Sequence, residues 1–167
     1  MSLDFSRLKV LIIDDNAFMR QLLRELLWAL DCQPGNMRFA ANGRDGLETL
    51  RDTPTDLIIC DINMRPVNGK QFTQRVRTSP DSPDPYVPII ICTAHAEIEH
   101  IYGARDSGAN EILRKPLSAG NMYERIRAVV ERPRPFIHCP AFNGPDRRRQ
   151  TLPFAGPDRR SSEPVIV

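Results

Sequence analysis

The chain has 167 residues, 41% hydrophobic and 26% charged, with a formal net charge of +2. This fits one globular domain of ordinary size with an extension and excludes a wholly polybasic chain. No apolar run approaches the roughly 20 residues that span a bilayer, the first ten residues lack a basic-then-apolar leader, and Cys32, Cys60, Cys92 and Cys139 form no Cys-x-x-Cys pair, so a cytoplasmic protein with reduced thiols and no membrane segment is expected.

Residues 9–14 read as a strand, with Leu11, Ile12 and Ile13 followed by the acids Asp14 and Asp15. Asn16 suits a helix cap, and Met19, Leu22, Leu23, Leu26, Leu27 and Leu30 recur at helical spacing until Gln33-Pro34-Gly35. A weak strand over 37–41 ends at Asn42-Gly43, and 46–51 is a short helix. Residues 56–60, Asp-Leu-Ile-Ile-Cys, read as a strand that ends at Asp61. A polar helix over 70–77 and a proline-rich loop over 78–88 follow. Residues 89–93 form a strand ending in Thr93, 96–107 a helix stopped by Gly108, 111–114 a strand before Lys115-Pro116, and 121–131 the last helix.

Five strand–helix units predict an α/β fold, a doubly wound five-stranded parallel sheet of the flavodoxin-like (βα)5 kind. Ligands of such sheets bind beyond the carboxyl ends of the strands. That rim gathers Asp14, Asp15 and Asp61 with the Thr93 hydroxyl and the Lys115 ammonium. Taken alone, Asp14 and Asp15 would be a helix-capping turn. Three carboxylates in one partly buried cup raise each other's pKa and call for a hard cation. Mg²⁺ suits such oxygen ligands and leaves positions for water and phosphate. The set fits phosphoryl transfer, with a carboxylate as nucleophile.

The segments LIIDDNAFMR, DLIICDINMRPVNG, IIICTAHAE and EILRKPL, within about residues 7–132, resemble the receiver domains of two-component response regulators, those of chemotaxis in particular. The resemblance implies that Asp61 accepts a phosphoryl group from a phosphohistidine on a sensor histidine kinase or a histidine phosphotransfer protein. It implies Mg²⁺ held by Asp14, Asp15, Asp61 and the main-chain carbonyl of Asn63, with Thr93 and Lys115 on the phosphoryl oxygens. It also implies a cis bond before Pro116. The output would be contact with a downstream protein, with no DNA-binding domain, no membrane role and a homodimer left open. Such a module is a single-domain regulator and not an enzyme beyond its own phosphorylation and dephosphorylation. The alternatives are a pseudo-receiver scaffold that is never phosphorylated and an aspartate-nucleophile phosphatase. The second would need an Asp-x-Asp pair, where this chain has Asp61-Ile62-Asn63.

Three departures stand out. The proline of the loop after Asp61 comes one place late, in Met64-Arg65-Pro66. Ile112 stands where the family usually has an aromatic switch residue, and its β-branched side chain is stiff. Asn63 and His95, two residues past Asp61 and Thr93, occupy positions that tune phosphoryl lifetime in the family, and neither is a strong base.

The receiver is expected over 1–132 and a Pro/Arg-rich, largely extended or disordered tail over 133–167. The tail has seven prolines and six arginines, and it repeats itself: Phe142 begins FNGPDRR and Phe154 begins FAGPDRR. Gly-Pro-Asp suits a turn. The tail reads as a solubilising extension, as a docking motif for a partner, a second receiver or the domain's own surface, or as an Arg-rich nucleic-acid contact.

Overall fold

A computed structural model describes residues 3–94 and 98–147. Five strands form one parallel sheet: β1 (Val10–Ile13), β2 (Met37–Ala40), β3 (Leu57–Asp61), β4 (Ile89–Thr93) and β5 (Glu111–Arg114). Their order is β2-β1-β3-β4-β5, so the chain reverses direction across the sheet between β1 and β3. Five helices alternate with them: α1 (Ala17–Ala29), α2 (Gly43–Asp52), α3 (Gly69–Thr78), α4 (Ile98–Asp106) and α5 (Ala119–Glu131). This is the expected doubly wound architecture.

The sheet is apolar on both faces because both are covered. Alternate strand residues enter separate cores. Val10, Ile12, Leu57, Ile59 and Ile90 pack with Leu23 and Leu27 of α1 and Met122 and Ile126 of α5. Leu11, Ile13, Ile58, Cys60 and Ile91 pack with Leu50 of α2, Phe72 and Val76 of α3 and Ala104 of α4.

Side-chain caps set the helix starts. Asn16 accepts from the Phe18 and Met19 amides, Asn42 from Asp45, Asn68 from Gln71 and Ser118 from Asn121. The Asn42 cap starts α2 at Gly43, three residues before the expected 46, and Ser118 starts α5 at Ala119, two before the expected 121. At both places a polar residue just ahead of the apolar helical pattern caps the helix and lengthens it at its start.

The tail differs from expectation over its first part. Phe136–Cys139 (β6) and Phe142–Pro145 (β7) form an antiparallel hairpin. Its anchor is Phe136, which is buried. The ring lies 5.0 Å from the Arg77 guanidinium carbon and edge-on to Tyr86 at 5.1 Å between centroids. Prolines at 135, 140 and 145 suggested loose chain, but they flank or end the strands, where a missing amide costs little. The second repeat, from Phe154, lies outside the described residues, as does His95.

Arg77 explains why the hairpin has somewhere to dock. This α3 residue is only 2% exposed. Its guanidinium donates to the carbonyls of Gly108 (3.0 Å), Pro85 (2.8 Å) and Val87 (2.8 Å), and to Asn110 Oδ1 (2.8 Å). One side chain thus ties α3 to the proline-rich loop and to the turn before β5. Burial is the main force on it, pulling its pKa down to about 9, and it still carries its charge at neutral pH.

Candidate functional site

Parallel register brings the acids together. Ile13 pairs with Cys60, so the next residues, Asp14 and Asp61, lie side by side at the strand ends. Asp61 pairs with Cys92, and Thr93 with Arg114, which puts Thr93 and Lys115 on the same rim. The site therefore forms at the reversal between β1 and β3, where a doubly wound sheet opens a crevice.

Lys115 joins the acids. Its Nζ lies 2.8 Å from Asp61 Oδ1 and 3.4 Å from Asp14 Oδ2. Asp14, Asp61 and Thr93 are buried, while Asp15 and Asn63 are exposed. The other Asp61 oxygen, Oδ2, accepts the Asn63 amide at 3.0 Å. Asp14 Oδ1 accepts the Asn16 amide at 2.9 Å, and the Asp14 carbonyl accepts Arg20 Nη1 at 2.7 Å. The Thr93 carbonyl accepts the Lys115 amide at 2.9 Å, which holds the two loops together. The Lys115–Pro116 peptide is cis, as expected, and so is Arg65–Pro66, which was not expected.

The loop after Asp61 is pinned at its far end. Gly69 N–H donates to the Ile62 carbonyl at 3.0 Å, and Gly43 N–H to the Val67 carbonyl at 3.2 Å. Gly43 touches this loop so closely that a Cβ there would lie 2.7 Å from the Val67 oxygen and 2.8 Å from Val67 Cγ1. Gly43 carries no site signal in the sequence, because the contact depends on how the start of α2 meets the loop between β3 and α3. Ile112 is half-buried in β5, beside Ile91, and packs against the core on the α2–α4 side.

Electrostatics favour a cation here. Burial is the largest influence on Asp14 and raises its pKa above the ordinary value; the Asn16 amide and Lys115 only partly oppose it. Burial lowers the Lys115 pKa, but the Asp61 hydrogen bond and the charges of Asp61 and Asp14 outweigh that and leave it raised. Asp14, Asp15 and Asp61 each offer an oxygen, all within 4.8 Å of one another. The nearby thiols are poor competitors as ligands: burial pushes Cys92 up to about 12 and Cys60 well above the ordinary range. An all-oxygen, anionic donor set that one lysine does not fully offset fits a hard divalent cation such as Mg²⁺.

Residues 10–127 match the family described as Response regulator receiver domain. The chain belongs to that family. Accepting a phosphoryl group is the family's general role, and its members bind Mg²⁺ at an acidic site. Among relatives, the receiver is 34% identical over 123 residues to the Probable chemotaxis protein CheY of Rhizobium etli, covering 74% of this chain and 92% of that protein. It is 30% identical over 125 residues to the Chemotaxis protein CheY-3 of Vibrio cholerae, covering 75% and 93%. Its fold is similar to the solved structure of Vibrio cholerae CheY4, with a TM-score of 0.65, 27% identity, and coverage of 73% of this chain and 98% of that one. No helix among the described residues is long and apolar enough to cross a membrane.

Proposed function

We propose that this receiver accepts a phosphoryl group on a carboxylate oxygen of Asp61. The donor is a phosphohistidine of a sensor kinase or a histidine phosphotransfer protein. The P–N bond to the donor imidazole breaks as the P–O bond to Asp61 forms, and the imidazole leaves with the electron pair and takes a proton from solvent. Asp14, Asp15, Asp61 and the Asn63 carbonyl would hold Mg²⁺, which supplies positive charge beside the phosphoryl oxygens. Lys115 neutralises one Asp61 oxygen beforehand and pairs with the phosphoryl group afterwards. The Asn63 amide orients the other oxygen, and the Thr93 hydroxyl supplies a further hydrogen bond. The product is an acyl phosphate, and the signal is a phosphorylation-dependent contact with a downstream protein.

The observation that carries this reading is the Lys115 ammonium shared between Asp61 and Asp14 at 2.8 and 3.4 Å. Three segments distant in sequence must be placed together to make it. The module turns over only its own phosphoryl group, so it is a signalling carrier and not an enzyme.

The test is incubation with a small phosphoramidate donor, with and without Mg²⁺, on the full chain and on Asp61→Asn. The expected result is a metal-dependent label of at most one group per chain, absent in Asp61→Asn. Sustained release of phosphate in large excess over protein would replace this reading with a phosphatase. No label on the folded chain would replace it with a scaffold.

A further inference from the structure

The phosphoryl reading makes no use of the repeated tail motif. The first copy has a built seat. Phe142 covers the Arg147 guanidinium carbon at 4.0 Å from its ring centre, and Arg147 Nη1 lies 2.6 Å from Asp106 Oδ1 at the end of α4. Gly144 abuts Gly108, whose φ is +100°, so closely that a Cβ on Gly144 would lie 2.8 Å from the Gly108 Cα. The Asp146 amide donates to the Pro135 carbonyl at 2.7 Å, and its own carbonyl accepts Arg134 Nη1 at 3.0 Å. The Asn143 amide also donates to the Arg77 carbonyl. The Phe, Gly and Arg of the repeat therefore each meet a partner, and the Asp is held through its main chain.

The second copy, beginning at Phe154, repeats Phe, Gly, Pro, Asp, Arg and Arg in the same order twelve residues on. The difference within the motif is Ala155 in place of Asn143, which removes the amide that reaches Arg77. In the observed hairpin Cys139 pairs with Phe142, Ile137 with Gly144 and Phe136 with Pro145. By position in the repeat, Phe154, Gly156 and Pro157 correspond to Phe142, Gly144 and Pro145.

We propose that the surface made by β6, Asp106 and Gly108 is a recognition site for the Phe-x-Gly-Pro-Asp-Arg segment itself, and that residues 154–159 of the same chain are its alternative occupant. β6 then has two candidate partner strands. The first is reached through a two-residue loop (140–141), the second through fourteen residues (140–153). Loop closure alone favours the first by roughly twentyfold, and the Asn143 bond adds to that. The second copy is a reserve strand that takes the seat when the first is withdrawn, leaving 140–153, including Arg147, Arg148 and Arg149, released as a loop. Phe154 follows Arg147, the residue of the first copy that pairs with Asp106, by seven positions.

The test measures amide exchange of β6 in the full chain, with β1–β5 amides as the check on folding. Phe142→Ala/Arg147→Ala is expected to leave β6 protected, with a loss of about twentyfold or somewhat more, the loop-length cost plus the missing Asn143 bond. Phe154→Ala/Arg159→Ala alone is expected to be silent. The four substitutions together remove protection. A synthetic peptide of residues 151–162 then restores it, and Asp106→Lys blocks that rescue. A second route evicts the first copy by sterics: Gly144→Val keeps β6 protected, whereas Gly144→Val/Gly156→Val does not. The proposal is overturned if losing the first copy strips β6 as fully as losing both, or if the peptide fails to rescue. It is also overturned if protection after losing the first copy rises with protein concentration, since the strand then comes from another molecule.

Discussion

Lys115 donates to Asp61 at 2.8 Å across 54 positions of sequence, and the same ammonium reaches Asp14 at 3.4 Å. One cation thus stands between two buried carboxylates that would otherwise repel each other. Replacing it with methionine leaves both acids without their shared partner. Lys115→Met is expected to lower stability without metal by about 2–3 kcal/mol, the scale for breaking a buried pair with some solvent access. It should also tighten Mg²⁺ binding, because a competing positive charge is gone, while slowing phosphoryl transfer. The pH dependence has a definite sign. The folded pKa of Lys115 is raised, so the folded state binds the proton more tightly than the unfolded chain does. The stabilisation is complete below the unfolded lysine pKa and is lost as pH rises through the folded one. Denaturant titration of both proteins from neutral to strongly alkaline pH should show the gap closing at the alkaline end.

Asp14 behaves in the opposite sense. Burial raises its pKa, so its ionised form costs stability. In the window above the unfolded aspartate pKa, stability falls as pH rises through the folded value. Asp14→Asn is therefore expected to stabilise the metal-free protein by about 1–2 kcal/mol at neutral pH, as substitutions at strained functional sites commonly do. The gain should vanish in acid. Calorimetric titration should show Mg²⁺ affinity falling at least tenfold in the same variant.

Gly43 reaches the acceptor loop with no room for a side chain. Gly43→Ala should displace Val67 and, through the loop, the Asn63 main chain. Mg²⁺ affinity is expected to fall several-fold, with a stability loss of about 1–3 kcal/mol from overpacking. Val67→Ala in the same chain removes the Cγ1 clash and should recover part of both, as read by metal titration and thermal unfolding.

Arg77 carries four hydrogen bonds in a site with almost no solvent. Arg77→Leu leaves the Gly108, Pro85 and Val87 carbonyls and the Asn110 side chain without that donor. A loss of about 3–5 kcal/mol is expected, together with release of Phe136 and the hairpin. Mg²⁺ affinity of the remaining folded protein should hold, since the acidic rim lies at the opposite ends of the strands. Denaturant unfolding and amide exchange of β6 check the two parts separately.

The central sheet was legible because β1, β3 and β4 are buried, nearly unbroken apolar runs, each ended by a carboxylate or a hydroxyl, with Lys115 following the shorter and less buried β5. Leu11–Ile13 before Asp14, and Ile58–Cys60 before Asp61, need only parallel register to become a site. What was not legible depends on contacts between distant residues. Arg77 looked like an ordinary charge on a polar helix, because its acceptors are main-chain carbonyls with no sequence signature. The hairpin was hidden for the same reason: Phe136 is an anchor only because Arg77 and Tyr86 surround it. Asn42 stands out in the sequence as the end of a strand, although the same side chain caps the helix that follows, and Ser118 carries no sequence mark of the cap it makes. Ile112 was expected to mark a missing aromatic, and the structure shows it half-buried and packed against the core on the α2–α4 side.

The most direct measurement is the location of the phosphoryl group. The full chain is treated with a phosphoramidate donor and Mg²⁺, digested, and mapped by mass spectrometry. The account predicts one base- and hydroxylamine-labile phosphoryl group on the peptide that contains Asp61, not formed without Mg²⁺ and absent in a folded Asp61→Asn chain. A label on any other residue, or the same label persisting in Asp61→Asn, would contradict it.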